Sequence, residues 1–176
     1  MNRHTAAWLA WSLWAVCVAL IGLALLLDFL TGEVIPAGVP GVRPGPGFAV
    51  LTGVLSLAFP TVGALIAPRL PANPVGWLFC GMGVFYGAGR FTGAYADYAL
   101  AENFAMPGGE YVAWFTSCIW FVGLTLGVFL VLLFPDGRLP SRRWRIVAWA
   151  TIFGAALATL GTALMPDYLI VSHPYV

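Results

Sequence analysis

Arg90 and Asp97 stand seven residues apart in an otherwise apolar stretch, so a helix there puts both on one face. Tyr86, Tyr95 and Tyr98 flank them. A guanidinium, a carboxylate and several phenols can hold an anion, orient a polar ligand or neutralise one another. An isolated charge in a hydrocarbon setting costs roughly 3 kcal/mol unless it reaches the interface or pairs. The plainer reading is an Arg90 that snorkels outward with Asp97 as a loose partner. The sharper reading is an outward-facing pocket, or a contact to an anionic lipid or pigment, formed by Arg90, Asp97, Tyr86 and Tyr95.

A second constellation runs from Phe134 to Arg145 (Phe-Pro-Asp-Gly-Arg-Leu-Pro-Ser-Arg-Arg-Trp-Arg). Pro135, Asp136 and Gly137 form a turn signal. Arg138, Arg142, Arg143 and Arg145 crowd positive charge behind it. The plainer reading is a set of headgroup contacts that stops translocation. The sharper one is a rigid elbow, built on Asp136 and these arginines, that touches a signalling partner. A third pattern is glycine at every fourth position: Gly83 with Gly87, Gly89 with Gly93, and Gly123 with Gly127, with Gly154 and Ala158 as a weaker pair. Small residues at that spacing let helix backbones approach closely. They predict packing inside one bundle; self-association or partner docking is the alternative.

Other chemistries lack their residues. His4 and His173 flank the apolar segments, whereas buried haem or pigment is usually held by a histidine within them. The sequence carries no glycine-rich phosphate loop, nucleophilic triad, paired carboxylates or metal-ligand spacing. Cys17, Cys80 and Cys118 sit in apolar runs and read as small hydrophobes. No Asp, Glu or His falls where a proton relay would need it. Catalysis and transport are therefore disfavoured, and no cofactor is expected. The net charge of +1 gives no reason to expect nucleic acid.

The elements that must position these residues follow from the solvent. The chain is 61% hydrophobic and 9% charged, with a mean hydropathy of +0.90. Soluble domains carry about 25% charged residues, so this surface is made for lipid. Charges divide the chain into apolar runs of similar length: 23 residues from His4 to Asp28, 20 from Arg69 to Arg90, and 25 from Glu110 to Asp136. About 20 apolar residues span a bilayer as a helix, and lipid leaves strands without partners. The expected fold is one all-α membrane domain with five spans near 6–30, 47–67, 74–100, 111–134 and 143–165. Asn73 before Pro74 reads as an N-cap and first helical residue. Ser141 reads as the cap of the fifth helix. Pro60 predicts a kink in the second. The Gly- and Pro-rich stretch from Leu30 to Pro46 reads as an irregular exposed loop.

All eight basic residues are arginine. With the N-terminus in the cytoplasm, Arg3, Arg69, Arg138, Arg142, Arg143 and Arg145 fall inside, and Arg43 and Arg90 outside, as positive-inside placement requires. The C-terminus then lies outside. Trp8, Trp77, Trp114, Trp144 and Tyr111 stand near span ends, as interface anchors do.

Three segments resemble a known family. The stretch from Gly63 to Trp77, ending Pro-Arg-Leu-Pro-Ala-Asn-Pro-Val-Gly-Trp, resembles an arginine–NPIGW segment. Tyr95 to Leu100 resembles a YAxYAL segment. Leu132 to Trp144 resembles an LLFPDGRLPSxRW segment. In this order they are similar to the N-terminal membrane region of certain bacterial sensor histidine kinases, and the resemblance covers most of residues 50–150. It implies a non-enzymatic input domain in the bacterial inner membrane, passing a state to a cytoplasmic dimerisation and ATP-binding module. Neither that module nor its phospho-acceptor histidine is in this chain, so no kinase role falls on any residue. The competing expectation is a structural accessory subunit of a larger respiratory or photosynthetic complex; a small transporter ranks third. The expected partners are the bilayer and other membrane subunits or further copies.

Overall fold

The computed structural model describes residues 2–32, 46–100, 107–139 and 141–164. Five helices follow one another: α1 (Arg3–Gly32), α2 (Pro46–Ile66), α3 (Pro74–Leu100), α4 (Gly109–Leu133) and α5 (Trp144–Ala163). No strand occurs among the described residues. Three stretches, Arg3–Thr31, Tyr111–Leu133 and Trp144–Ala163, are long and apolar enough to cross a membrane, and Val50–Ile66 is a shorter apolar helix. The chain is thus an all-helical protein made to embed in a membrane. The loop expected from Leu30 to Pro46 lies mostly outside the described residues, as do Glu33, Glu102, Asp167 and the C-terminal end. At its margins α1 runs on to Gly32, and Pro46 opens α2.

Hydroxyls on these helices are satisfied without leaving them. Thr31, Thr61, Thr116, Thr125, Thr151 and Thr162 each donate to the carbonyl four residues back, at 2.6–2.9 Å. That local bond removes the cost of placing a hydroxyl where water is absent. Thr61 also accepts from Trp14 Nε1 at 2.9 Å and so ties α1 to α2.

α3 is the central helix. It packs on α1, α2 and α4, whereas α5 rests chiefly on α4. No α3 residue whose side chain is described is exposed. This placement explains its composition. Arg90, Asp97 and six glycines from Gly76 to Gly93 leave α3 short of the apolarity of the other long helices, and its neighbours cover it. A helix so covered can be small and partly polar, because its surface meets other backbones rather than acyl chains.

Contacts order the ends of the bundle. Ala10 of α1, Ala64 and Ala67 at the end of α2, and Cys80 near the start of α3 form one buried cluster, with Leu13, Trp14 and Trp77 against it. The start of α1 therefore shares an end with the α2–α3 turn. Asn73 Nδ2 donates to Pro135 O at 3.0 Å, which brings the α4–α5 turn to that same end. Trp114 Nε1 donates to Ala163 O at 3.4 Å at the opposite end. Arg3, Arg69, Arg138, Arg142, Arg143 and Arg145 consequently gather at one end, called here the basic end.

One local expectation changes. Ser141 does not cap α5 through its side chain. Arg143 holds the flanking position with no side-chain cap, and Ser141 gives only its backbone carbonyl, 3.1 Å from Trp144 N. The turn tightens into successive three-residue bonds, so the hydroxyl is not called upon. Pro60 lies inside α2, whose helix runs on from Pro46 to Ile66. Its ring is fully buried and faces Gly83 of α3.

Candidate functional site

Gly76, Gly83, Arg90 and Asp97 recur every seven residues along α3. A seven-residue interval drifts only about 20° on a straight helix, so they form one stripe. The stripe changes character along its length.

At the basic end it is glycine against backbone. A Cβ on Gly76 would lie 2.8 Å from Ala67 N, and one on Gly83 would lie 2.5–2.7 Å from three carbons of Pro60. The approach is mutual: a Cβ on Gly63 of α2 would lie 2.6 Å from Cys80 N and 2.9 Å from Gly76 O. Gly123 of α4 receives the ring of Phe85, whose Cε1 stands 2.5 Å from where its Cβ would be. Real Cβ atoms do not occupy such positions, so only glycine permits these contacts.

The α2–α3 and α4–α5 turns interlock at the same end. Asn73 Oδ1 accepts from Val75 N at 3.0 Å, the N-cap its position before Pro74 predicts. Its Nδ2 crosses to Pro135 O. Gly137, with φ 71°, turns left-handed under Pro74, and a Cβ there would overlap the Pro74 ring and lie 2.6 Å from Asn73 Oδ1. Trp77 Nε1 donates to Pro71 O at 3.1 Å, and Arg69 Nη1 donates to Leu65 O at 3.2 Å, closing the carbonyl end of α2. Trp77 is therefore a brace for the turn as well as a residue at a span end.

Farther along the stripe the glycine gives way to charge. Arg90 pairs with Asp28 of α1 through Nη2 and Oδ2, with the two side chains 30% and 22% exposed. This partner lies on another helix than the Asp97 that spacing suggests. Asp28 lies 62 residues away in sequence and is brought alongside because α1 and α3 run parallel. Tyr86 and Tyr95 have contacts with other side chains and backbone. Tyr86 stacks on Phe59 of α2 at 5.7 Å and meets Phe85 edge-on, and Tyr95 donates to Pro107 O at 3.4 Å. The glycines near the ion pair meet less than those at the basic end. Gly87 is in ordinary contact with Cys17 and Leu20 at 3.7 Å, and a Cβ on Gly89 or Gly93 would meet nothing within 4 Å. Gly89 and Gly93 thus differ from the close-approach pair their spacing predicts. Gly127 has only Met82 Cε, at 4.0 Å.

Two shallow hollows mark the surface. One lies beside His4, Trp8 and Trp11, the other between α4 and α5 beside Phe121, Thr151 and Gly154, and neither is lined by Arg90. Among the described residues no three of His, Cys, Asp and Glu gather as metal ligands would. The arrangement is a close-packed joint at the basic end and a charge bridge near the other.

The fold and this stripe define a class, a helical membrane protein built around a small-residue central helix. No family model, no curated protein and no solved structure matches the chain.

Proposed function

We propose that this chain is a non-enzymatic membrane input domain of the sensor-kinase type, which relays a state of the helix bundle to the elbow formed by Asp136, Arg138, Arg142, Arg143 and Arg145. It resides in the bacterial inner membrane with five passes, α3 being the central one. The N-terminus is cytoplasmic and the C-terminus outside. The gathering of six arginines at one end of the bundle supports this orientation. The observation that carries the reading is the interlock of Asn73, Pro135 and Gly137. It couples the elbow to the central helix rather than leaving it a loose positive loop. Two of the three segments that resemble the kinase family meet there.

A second reading, a structural accessory subunit, draws on α5. That helix rests chiefly on α4, and a Cβ on Gly154 or Gly161 would meet nothing within 4 Å, leaving a smooth face for another subunit.

A photo-crosslinking residue at Arg142, in the full chain in native membranes, separates the two. The input reading expects capture of a cytoplasmic dimerisation and ATP-binding module. Capture instead of a membrane-complex subunit at fixed stoichiometry overturns it. An Arg142→Cys variant should react with an impermeant thiol reagent only after the membrane is opened. Reaction from outside reverses the orientation.

A further inference from the structure

Six arginines stand at the basic end with one acid, Asp136, among the described residues there. Arg3 opens α1, Arg69 lies in the α2–α3 turn, and Arg138, Arg142, Arg143 and Arg145 follow α4. All six side chains are exposed, and among the described residues no carboxylate pairs with any of them. The charge does not serve the helix it precedes. Arg142, Arg143 and Arg145 lie at the start of α5, where the helix dipole favours anions, and no acid stands in its first turn. A bound anion offsets both the crowding of like charge and the dipole.

Apolar side chains are interleaved with these arginines. Leu70, Phe134, Trp144 and Ile146 are exposed at the same end. Such side chains beside guanidinium groups match the boundary between phosphates and acyl chains. A soluble acidic partner would satisfy the arginines alone. The surface is also held in shape. The bond from Asn73 Nδ2 to Pro135 O, with Gly137 turned under Pro74, joins the turn that carries Arg69 to the one that carries Arg138 and Arg142.

We propose that the two interlocked turns form a docking surface for anionic phospholipid headgroups, with phosphates held by Arg69, Arg138, Arg142, Arg143 and Arg145 and with Phe134 and Trp144 set among the acyl chains. Recognition is by charge and by the paired donors that arginine offers to phosphate oxygens. Positive-inside sorting needs only the number of arginines on a loop. A docking surface needs their relative positions, which the Asn73–Pro135 bond fixes. Lipid held there anchors the elbow at the membrane surface, whether the chain is an input domain or an accessory subunit.

Spin-labelled lipids test it. The purified full chain is placed in phosphatidylcholine bilayers with a trace of spin-labelled phosphatidylglycerol or spin-labelled phosphatidylcholine, and the immobilised fraction of each gives their relative association. Phosphatidylglycerol should be preferred about fivefold at low salt, an effect the size of one arginine near a charged surface. The preference should fade as added salt shortens the screening length. Arg142→Gln, Arg143→Gln and Arg145→Gln combined should bring the ratio close to one, and lysine at the same three positions should keep most of it. Asn73→Ser keeps every charge and an acceptor for Val75 N but removes the donor to Pro135 O, and it should lower the preference. Equal association of the two lipids overturns the proposal and leaves the arginines to a protein partner. A preference that survives the glutamine variant, or is lost in the lysine variant, overturns it as well. A preference unchanged in Asn73→Ser overturns the interlocked surface, since net charge alone would then suffice. Loss of the preference to inorganic phosphate at matched ionic strength would assign the surface to free phosphate rather than to headgroups and overturn the proposal.

Discussion

The two halves of α3 show two ways of joining helices where water supplies no driving force. In lipid an apolar side chain gains nothing by leaving acyl chains for another helix, so association rests on close packing and on polar bonds. The half next to Asn73 uses the first. Gly63 and Gly76 seat α3 on α2 backbone to backbone, and the Pro60 ring occupies the place where residue 83 would otherwise have a side chain. The half beyond Gly87 adds the second: it is tethered to α1 by the Arg90–Asp28 bridge, and is buried besides at Ala94, Ala96 and Ala99. Packing distributes its energy over many atoms and tolerates no added volume. A bridge concentrates it in one pair, and the glycines near this one meet less. Substitutions that add one methyl group should therefore read the two halves with opposite signs.

The largest effect is expected at Gly63. An alanine Cβ would lie 2.6 Å from Cys80 N, and a backbone atom cannot step aside without moving the helix. Overpacking of this kind costs about 1–3 kcal/mol, and Gly83→Ala against Pro60 belongs to the same range. Both should appear as lower unfolding free energies in mixed micelles titrated with denaturing detergent. Were Gly63→Ala neutral, the seated half would be looser than described and the contrast with the tethered half would vanish.

Next comes the turn beneath the seated half. Gly137 has φ 71° and supports Pro74. Alanine there adds a left-handed penalty of about 1 kcal/mol to the overlap with Pro74. Gly137→Ala should lower stability by roughly 2 kcal/mol in the same titration, and it should increase proteolysis between Phe134 and Trp144 in opened vesicles. Loss of stability with no change in cleavage would mean that the elbow does not depend on its seat.

Asn73 offers a finer cut. Asn73→Asp keeps an acceptor for Val75 N but removes the donor to Pro135 O, whereas Asn73→Ala removes both. An N-cap is worth about 1 kcal/mol, and a single neutral hydrogen bond has a net value of about the same size. Asn73→Asp should therefore cost about half as much as Asn73→Ala. Equal costs would make the bond to Pro135 dispensable and leave the two turns merely adjacent.

What the residues disclosed beforehand depended on range. The helices follow from runs of apolar residues, each a property of its own segment, and the cap of α3 follows from Asn73 beside Pro74. The bridge was not legible. Same-helix spacing favours Asp97 for Arg90, while Asp28 looks like the mere terminus of an apolar run until α1 and α3 are laid side by side. The turns at Asn73 and Gly137 were each readable as turns, but their meeting spans 62 residues and no local signal announces it. The glycine pattern misled in part. Spacing of four marks Gly89 and Gly93 as readily as Gly83 and Gly87, because it records neighbours on one helix and is blind to what lies opposite. Gly63 and Gly76 gave no such pair and yet make two of the closest approaches. A sign was available in the interval of seven from Gly76 through Gly83 to Arg90, which only the identity of the facing helix makes meaningful.

The smallest effect is the most discriminating. Gly89 lies one residue before Arg90 in the tethered half, on turns where an added Cβ meets nothing within 4 Å. Alanine there carries no steric cost. It restricts the unfolded chain and favours the helix, a gain of about 0.5–1 kcal/mol. Gly89→Ala should thus raise stability in the titration that shows Gly63→Ala lowering it, although both add a single methyl group. The sign separates two accounts of the glycines of α3. If all serve close approach, both substitutions destabilise. If those beyond Gly87 do not, Gly89→Ala yields a more stable protein with the Arg90–Asp28 pair intact.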